Sequence, residues 1–152
     1  DPHLKPPRSA IISVGKLLFW LLLYWKDRFF HGHTNLTLRI WDRFFYDVYI
    51  DPKRYRFGAP LWVAKLIGKF VPKPGLIIVL DAPAAVIQAR KQEVSLQETT
   101  RQCAAYLEFA RTHSNCVVLD TAVSIEQTVK YGRATILEYL IGRQKKRMVC
   151  KH

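Results

Sequence analysis

Apolar and polar positions along this chain switch between two periods. From residue 10 to about residue 28, Leu17, Leu18, Leu21, Leu22 and Trp25 recur at helical spacing, and Phe19, Trp20, Leu23 and Tyr24 fill much of the remaining face. That pattern predicts a strongly apolar, buried helix. Its uninterrupted apolar run, 17–25, is bracketed by Lys16 and Lys26 and falls short of the about 20 residues that a membrane-spanning helix needs. Polar residues around Gly32 read as a connection. Residues 36–41, Leu-Thr-Leu-Arg-Ile-Trp, read as a short strand ending in Asp42-Arg43, and 44–50 as a helix leaving that strand. Pro52, Gly58 and Pro60, with Lys53, Arg54 and Arg56 among them, make 51–60 a basic loop.

The second half repeats the alternation. Residues 61–70 have the pattern of a short amphipathic helix, and Pro72 and Pro74 mark a turn. The near-continuous apolar run 76–80 is the signature of a strand buried on both faces of a parallel sheet. It ends at Asp81-Ala82-Pro83, and 84–91 follow as a helix. Ser95-Leu96-Gln97-Glu98 has the form of a capping box for a helix reaching about Thr112. A third apolar strand, 116–119, ends in Asp120-Thr121, and Ser124 opens a last helix to about Ile141, with Gly142 as its stop. Residues 1–9, with three prolines, read as a loop, and 143–152 as a basic tail. Strands alternating with helices predict an α/β fold, a parallel sheet covered on both faces within a single domain, 1–152.

Composition narrows the partners. A chain of 152 residues that is 49% hydrophobic can build one domain's core. The 24 Lys+Arg against 12 Asp+Glu give a formal charge of +12, which points to nucleotides, nucleic acid, phosphorylated metabolites or a membrane surface without choosing among them. Cys103, Cys116 and Cys150 are odd in number and widely spaced, a pattern that makes neither a disulfide framework nor a metal site. Reduced thiols in a cytoplasmic protein are expected, with Cys103 and Cys116 in the core. The histidines show no metal spacing, and His31 and His33 flank Gly32 in the expected connection. The first residue is Asp1, with no signal-peptide pattern, so a processed product or a fragment is expected.

The candidate chemistry centres on Asp42-Arg43. Ligands of open α/β sheets bind beyond the carboxyl ends of strands. There an aspartate can hold a metal or an acceptor hydroxyl, and an arginine can neutralise phosphate oxygens. Taken alone, the dipeptide reads equally well as a surface ion pair. By the same reasoning Arg90 and Lys91 read as a solvated helix end, Asp81 as a cap for the helix after Pro83, Asp47 and Asp51 as turn and capping residues in preference to metal ligands, and Arg101 as an exposed mid-helix residue.

Four segments in order give these residues a second reading. Asp42-Arg43-Phe44 after a strand, Leu76-Ile77-Ile78-Val79-Leu80-Asp81-Ala82-Pro83, Ala89-Arg90-Lys91-Gln92-Glu93, and a helix with Arg101 and Tyr106-Leu107-Glu108-Phe109-Ala110 together resemble the thymidylate kinase-like branch of the P-loop nucleoside monophosphate kinases. The resemblance covers roughly residues 36–140. It implies a three-layer α/β/α, P-loop kinase-like fold and transfer of a phosphoryl group from ATP, with Mg2+, to a nucleoside monophosphate or similar phosphorylated acceptor. Asp42 would lie near acceptor phosphate and metal, Arg43 on phosphate, and Arg90 and Lys91 in a closing lid. Asp47, Arg54 and Arg56 stand where the family reads its acceptor, and they complete a substrate-binding set with Arg101.

Two departures qualify the resemblance. No G-x-x-x-x-G-K-[ST] loop occurs in the chain; Gly15-Lys16 lacks the upstream Gly, the Ser or Thr and a preceding strand. The fold is therefore expected to be incomplete at the N-terminus, part of a longer kinase-like protein with little activity by itself, or else a natural relative without the loop. In addition, the Ser and Ala-Tyr-Gln that usually follow the Asp-Arg pair are replaced, which leaves the acceptor and a homodimer open. The alternative function is a basic module without catalysis, holding nucleic acid through Arg54–Arg56 and the tail or a membrane surface through 17–25. The resemblance itself implies neither of those partners.

Overall fold

The computed structural model describes residues 3, 5–31 and 38–149. Its elements are α1 (Ala10–His31), α2 (Asp47–Ile50), α3 (Leu61–Gly68), β1 (Ile77–Asp81), α4 (Ala84–Arg90), α5 (Leu96–Thr112), β2 (Cys116–Asp120) and α6 (Ile125–Val149). The chain mixes helix and strand, and it forms two compact units, Asp1–Lys73 and Pro74–His152.

In the first unit, α1 packs on α3. Leu17 is buried together with Phe45, Val48, Phe57, Ala64, Ile67 and Val71, and Val14, Trp20, Leu21 and Tyr24 line the same core. The expectation of a buried α1 holds for one face only. Ile11, Leu18, Leu22 and Phe29 form a stripe on the opposite face and remain exposed, because α2, α3 and the intervening loop supply cover on one side. The helix also outruns its expected end near residue 28. Residues 26–31 contain neither Gly nor Pro, so nothing breaks the backbone ladder before Gly32. The expected loop position of His33 lies outside the described residues.

The strand expected at 36–41 is not seen. Residues 36 and 37 lie outside the described residues, and 38–41 carry no regular structure. A strand needs a neighbour for its backbone groups, and β1 and β2 pair only with each other among the described residues. The segment is held by side chains instead. Arg39 pairs with Asp27 of α1, and Trp41 packs its ring on Tyr24 at 5.2 Å. The helix expected at 44–50 shrinks to the single turn of α2. The Asp47 carboxylate takes the Phe44 amide at 2.6 Å, a local side-chain bond that competes with a helical start.

In the second unit β1 and β2 pair in parallel, in register from Ile77↔Cys116 to Asp81↔Asp120. α4 and α5 connect them, α5 packs on both strands, and α6 packs on β2. Val79 is buried, but Leu80 is 63% exposed and Val118 40%, so the two-faced burial expected for 76–80 is realised on one side. The expected cap at Ser95 forms, its hydroxyl accepting from the Glu98 amide, and Ser124 does the same for Gln127. Asp81 does not cap α4: Pro83 precedes that helix with no side-chain bond, and the Asp81 carbonyl accepts from Thr121 instead. Cys103 and Cys116 are partly buried rather than fully so.

α6 runs through Gly142 to Val149, so the expected stop at Gly142 and the loose basic tail after it are corrected. Gly142 is not in the left-handed conformation of a helix stop, the residues after it are good helix formers, and their positive charge suits a helix C-terminus. Among the described residues no helix is long and apolar enough to cross a membrane.

Two glycines give opposite expectations. A Cβ at Gly58 would overlap the Arg8 carbonyl oxygen, whereas one at Gly142 meets nothing within 4 Å. Gly58→Ala should destabilise by about 1–3 kcal/mol, and Gly142→Ala should stabilise by up to about 1 kcal/mol, both read from urea unfolding.

Candidate functional site

The residues singled out for chemistry fall into two groups. Asp42, Arg43, Asp47, Arg54 and Arg56 lie in the first unit, and Arg90, Lys91 and Arg101 in the second.

In the first unit these residues sit on the segment that leads from α1 into α3. Trp41 and Phe44 both set their rings on Tyr24, at 5.2 and 4.7 Å. The chain must reverse within the two residues between them. Asp42 and Arg43 form that bend, both exposed, and Arg43 takes φ 70°, a left-handed backbone that costs a side-chain-bearing residue about 1–2 kcal/mol. The pair therefore stands on a tight turn and not at the carboxyl end of a strand. The following loop is pinned by carboxylates. Asp51 is buried, with one oxygen on the Arg54 amide at 3.1 Å and the other on His3 Nε2 at 2.8 Å. The turn roles expected of Asp47 and Asp51 are thus seen directly.

Arg56 is the second left-handed arginine, with φ 52°. Its amide donates to the Lys53 carbonyl, and its own carbonyl accepts from Arg8, both at 2.9 Å. Its Nε donates to the Pro6 carbonyl at 2.9 Å. Next to it, Tyr55 meets Trp20 edge-on at 5.5 Å. The Lys16 ammonium lies 4.6 Å from the Trp20 ring and 5.7 Å from that of Tyr55.

Charge and burial work on these rings together. Burial, followed by the Asp47 carboxylate, raises the Tyr24 hydroxyl to about 12. Tyr55 reaches about 12 for the same two reasons, with the cations of Arg43 and Arg54 pulling the other way. Tyr49 is raised to about 12 by burial and then by Tyr46. Lys16 is lowered, first by burial and then by the charges of Arg8 and Arg56. Tyr55 thus lies within electrostatic reach of Arg43 and Arg54, and Lys16 within that of Arg8 and Arg56.

In the second unit Arg90, in the last turn of α4, donates to the Thr121 carbonyl at 2.7 Å, just past the end of β2. Lys91 pairs with Glu93 at 2.6 Å on the surface. Arg101 is held by Glu98, one turn earlier on α5, at 2.8 and 2.6 Å. The in-register strand ends carry Asp81 and Asp120 side by side. Among the described residues no three His, Cys, Asp or Glu side chains gather as a metal-binding group.

No protein-family model, no curated protein and no solved structure matches this chain.

Arg8, Lys16, Trp20 and Tyr55 were not among the residues expected to carry chemistry. One signal was available, the helical spacing of Lys16 and Trp20, which places an ammonium over a ring one turn away. The approach of Arg8 to Arg56 spans the whole unit and leaves no local signal.

Alkaline titration tests the tyrosine environment. An unfolded tyrosine titrates near pH 10, whereas Tyr24, Tyr49 and Tyr55 titrate at about 12 in the fold. Between those values the unfolded chain has lost protons that the folded chain keeps, so stability must fall as pH rises. Lys16, shifted the opposite way, opposes this, whereas Tyr46, Cys103 and Cys116, raised chiefly by burial, add to it. Urea midpoints should begin to decline above about pH 9, where unfolded thiols and then tyrosines lose protons, and fall further towards about 12, and Tyr49→Phe should make that decline shallower.

Proposed function

We propose that this chain is the acceptor-and-lid part of a phosphotransferase of the thymidylate kinase-like type, with a three-layer P-loop kinase-like fold. Such an enzyme moves a phosphoryl group from ATP to a nucleoside monophosphate or a similar phosphorylated acceptor. The observation that carries the reading is the parallel pair β1–β2, whose strands end in register on Asp81 and Asp120, with the Arg90 guanidinium bonded to the Thr121 carbonyl just beyond them. Strand ends of parallel sheets are where such folds place ligands. Within the first unit, the exposed Arg43 and Lys53 and the half-buried Arg54 and Arg56 are cations suited to phosphate oxygens. A cytoplasmic setting belongs to the same proposal.

The roles follow from charge. Asp42 accepts from an acceptor hydroxyl or orients the acceptor phosphate, and Arg43 neutralises that phosphate. Asp47 fixes the bend through the Phe44 amide, and Arg54 and Arg56 face the acceptor's anionic end. Arg90 and Lys91 are the lid cations. Lys91 leaves Glu93 readily, since exposed ion pairs are worth less than about 1 kcal/mol. Arg101 stays on Glu98 and acts on α5 itself. Magnesium–ATP does not fit these residues: the chain has no phosphate-cradling loop, and no carboxylate group for a metal gathers among the described residues. Transfer by the 152 residues alone is therefore not expected.

Calorimetry with Mg2+–ATP and with mononucleotides tests the reading, on these 152 residues and on a form carrying a phosphate-binding loop N-terminal to them. ATP binding and transfer should appear only in the longer form. Tight ATP binding by the 152 residues, or a longer form inactive on every phosphorylated acceptor, contradicts the reading.

A second reading draws on the exposed stripe of α1, Ile11, Leu18, Leu22 and Phe29, with Lys26 and Arg28 near one end. Apolar residues beside cations are what a helix on an anionic membrane surface requires. In that reading the chain co-sediments with anionic vesicles, and Leu22→Ser with Phe29→Ser abolishes it; binding that survives both changes removes the stripe from consideration.

A further inference from the structure

Arg8, Lys16 and Arg56 of the first unit are brought together by backbone and ring contacts: the Arg8 amide is on the Arg56 carbonyl at 2.9 Å, and the Lys16 ammonium lies over the ring of Tyr55, next to Arg56. Lys16 lies within electrostatic reach of both. Among the described residues none of these three forms an ion pair with a carboxylate, and the loop carboxylates hold other groups. Asp51 holds His3 and the Arg54 amide, and Asp47 holds the Phe44 amide.

The cluster is built rather than loose. Rings fix Lys16, with its ammonium 4.6 Å from Trp20 and 5.7 Å from Tyr55. Its helix cannot shift easily, because Ser13, three residues earlier, is buried and accepts the Gly58 amide at 3.0 Å. Arg56 is fixed at both ends: its Nε is on the Pro6 carbonyl, and its backbone is in the left-handed region at φ 52°. Gly58 admits no side chain against the Arg8 carbonyl, so the approach of the two strands of chain is close. Strained non-glycine backbone persists where surrounding contacts over-determine it, and ligand clamps are among those places. Holding three like charges together also costs free energy, which a bound anion would offset.

We propose that Arg8, Lys16 and Arg56 form a binding site for the phosphate groups of a small soluble ligand. Two planar guanidinium groups offer forked donors that match phosphate oxygens, and the ammonium adds a point charge with three donors. Three positive charges suit a phosphate or diphosphate better than a single carboxylate. The site shares Arg56 with the proposed acceptor region but needs no chemistry at Asp42, and pyrophosphate binding at Arg8 and Lys16 is read whether or not the chain transfers phosphate.

Titration of sodium pyrophosphate into the 152-residue chain at low salt, followed by calorimetry, tests the site. One saturable event is expected. Lys16→Gln and Arg8→Gln should each weaken it about tenfold, Lys16→Arg should retain it, and Arg111→Gln, which removes one charge from α5, should leave it within about twofold. Lys16 also packs on Trp20, so its loss can disturb α1, and a measurement on the unaltered chain guards against that. Reductive methylation of Lys16, read by mass spectrometry, should slow several-fold when pyrophosphate is present. The proposal is overturned by absence of saturable binding, by equal weakening in Arg111→Gln, by unchanged methylation of Lys16, or by a chain that binds only an oligonucleotide or anionic vesicles.

Discussion

A loop that is partly buried must find a partner for each of its backbone polar groups, and in the first unit that constraint governs the run from Asp42 to Gly58. It contains only one helical turn, α2. Its backbone is held by bonds to particular side chains and to distant carbonyls: Asp47 takes the Phe44 amide, Asp51 takes the Arg54 amide, Ser13 takes the Gly58 amide, and the Arg56 carbonyl takes the Arg8 amide. Phe45, Val48 and Phe57 anchor the same run in the core beside Leu17. Core and polar anchors together leave little freedom, and the two arginines at φ 70° and φ 52° are the result.

Those anchors also set the electrostatics. Packing Trp41 and Phe44 on Tyr24, and Trp20 on Tyr55, withdraws the tyrosine hydroxyls from water. The second unit faces a different constraint. Two parallel strands cannot cover both of their faces and both of their edges, and Leu80, Val117 and Val118 remain partly open to solvent. The neighbouring helices α5 and α6 supply what cover there is.

The sequence was most informative where local chemistry decides the outcome. Ser95 with Glu98 fixed the start of α5, Ser124 that of α6, and the apolar run after Gly75 located β1. It misled where a partner decides. Leu38 and Ile40 alternate with polar residues like a strand, but among the described residues no neighbouring strand pairs with them, and rings and the Arg39–Asp27 pair hold the segment instead. Gly142 has the composition of a stop, yet a helix with good formers on both sides absorbs one glycine. For the candidate site, the arginines at 43, 54 and 56 were legible as a basic, turn-rich stretch. The left-handed backbone at Arg43 and Arg56, and the joining of Arg56 to Arg8, depend on contacts far apart in the chain.

If the segment from Asp42 to Gly58 recognises phosphate, amide chemical shifts will locate the contact. In an isotope-labelled chain titrated with a nucleoside monophosphate, the account predicts the largest shift changes at Arg43, in Arg54–Gly58 and around Lys16. Changes spread evenly along the chain, or none at all, would contradict it.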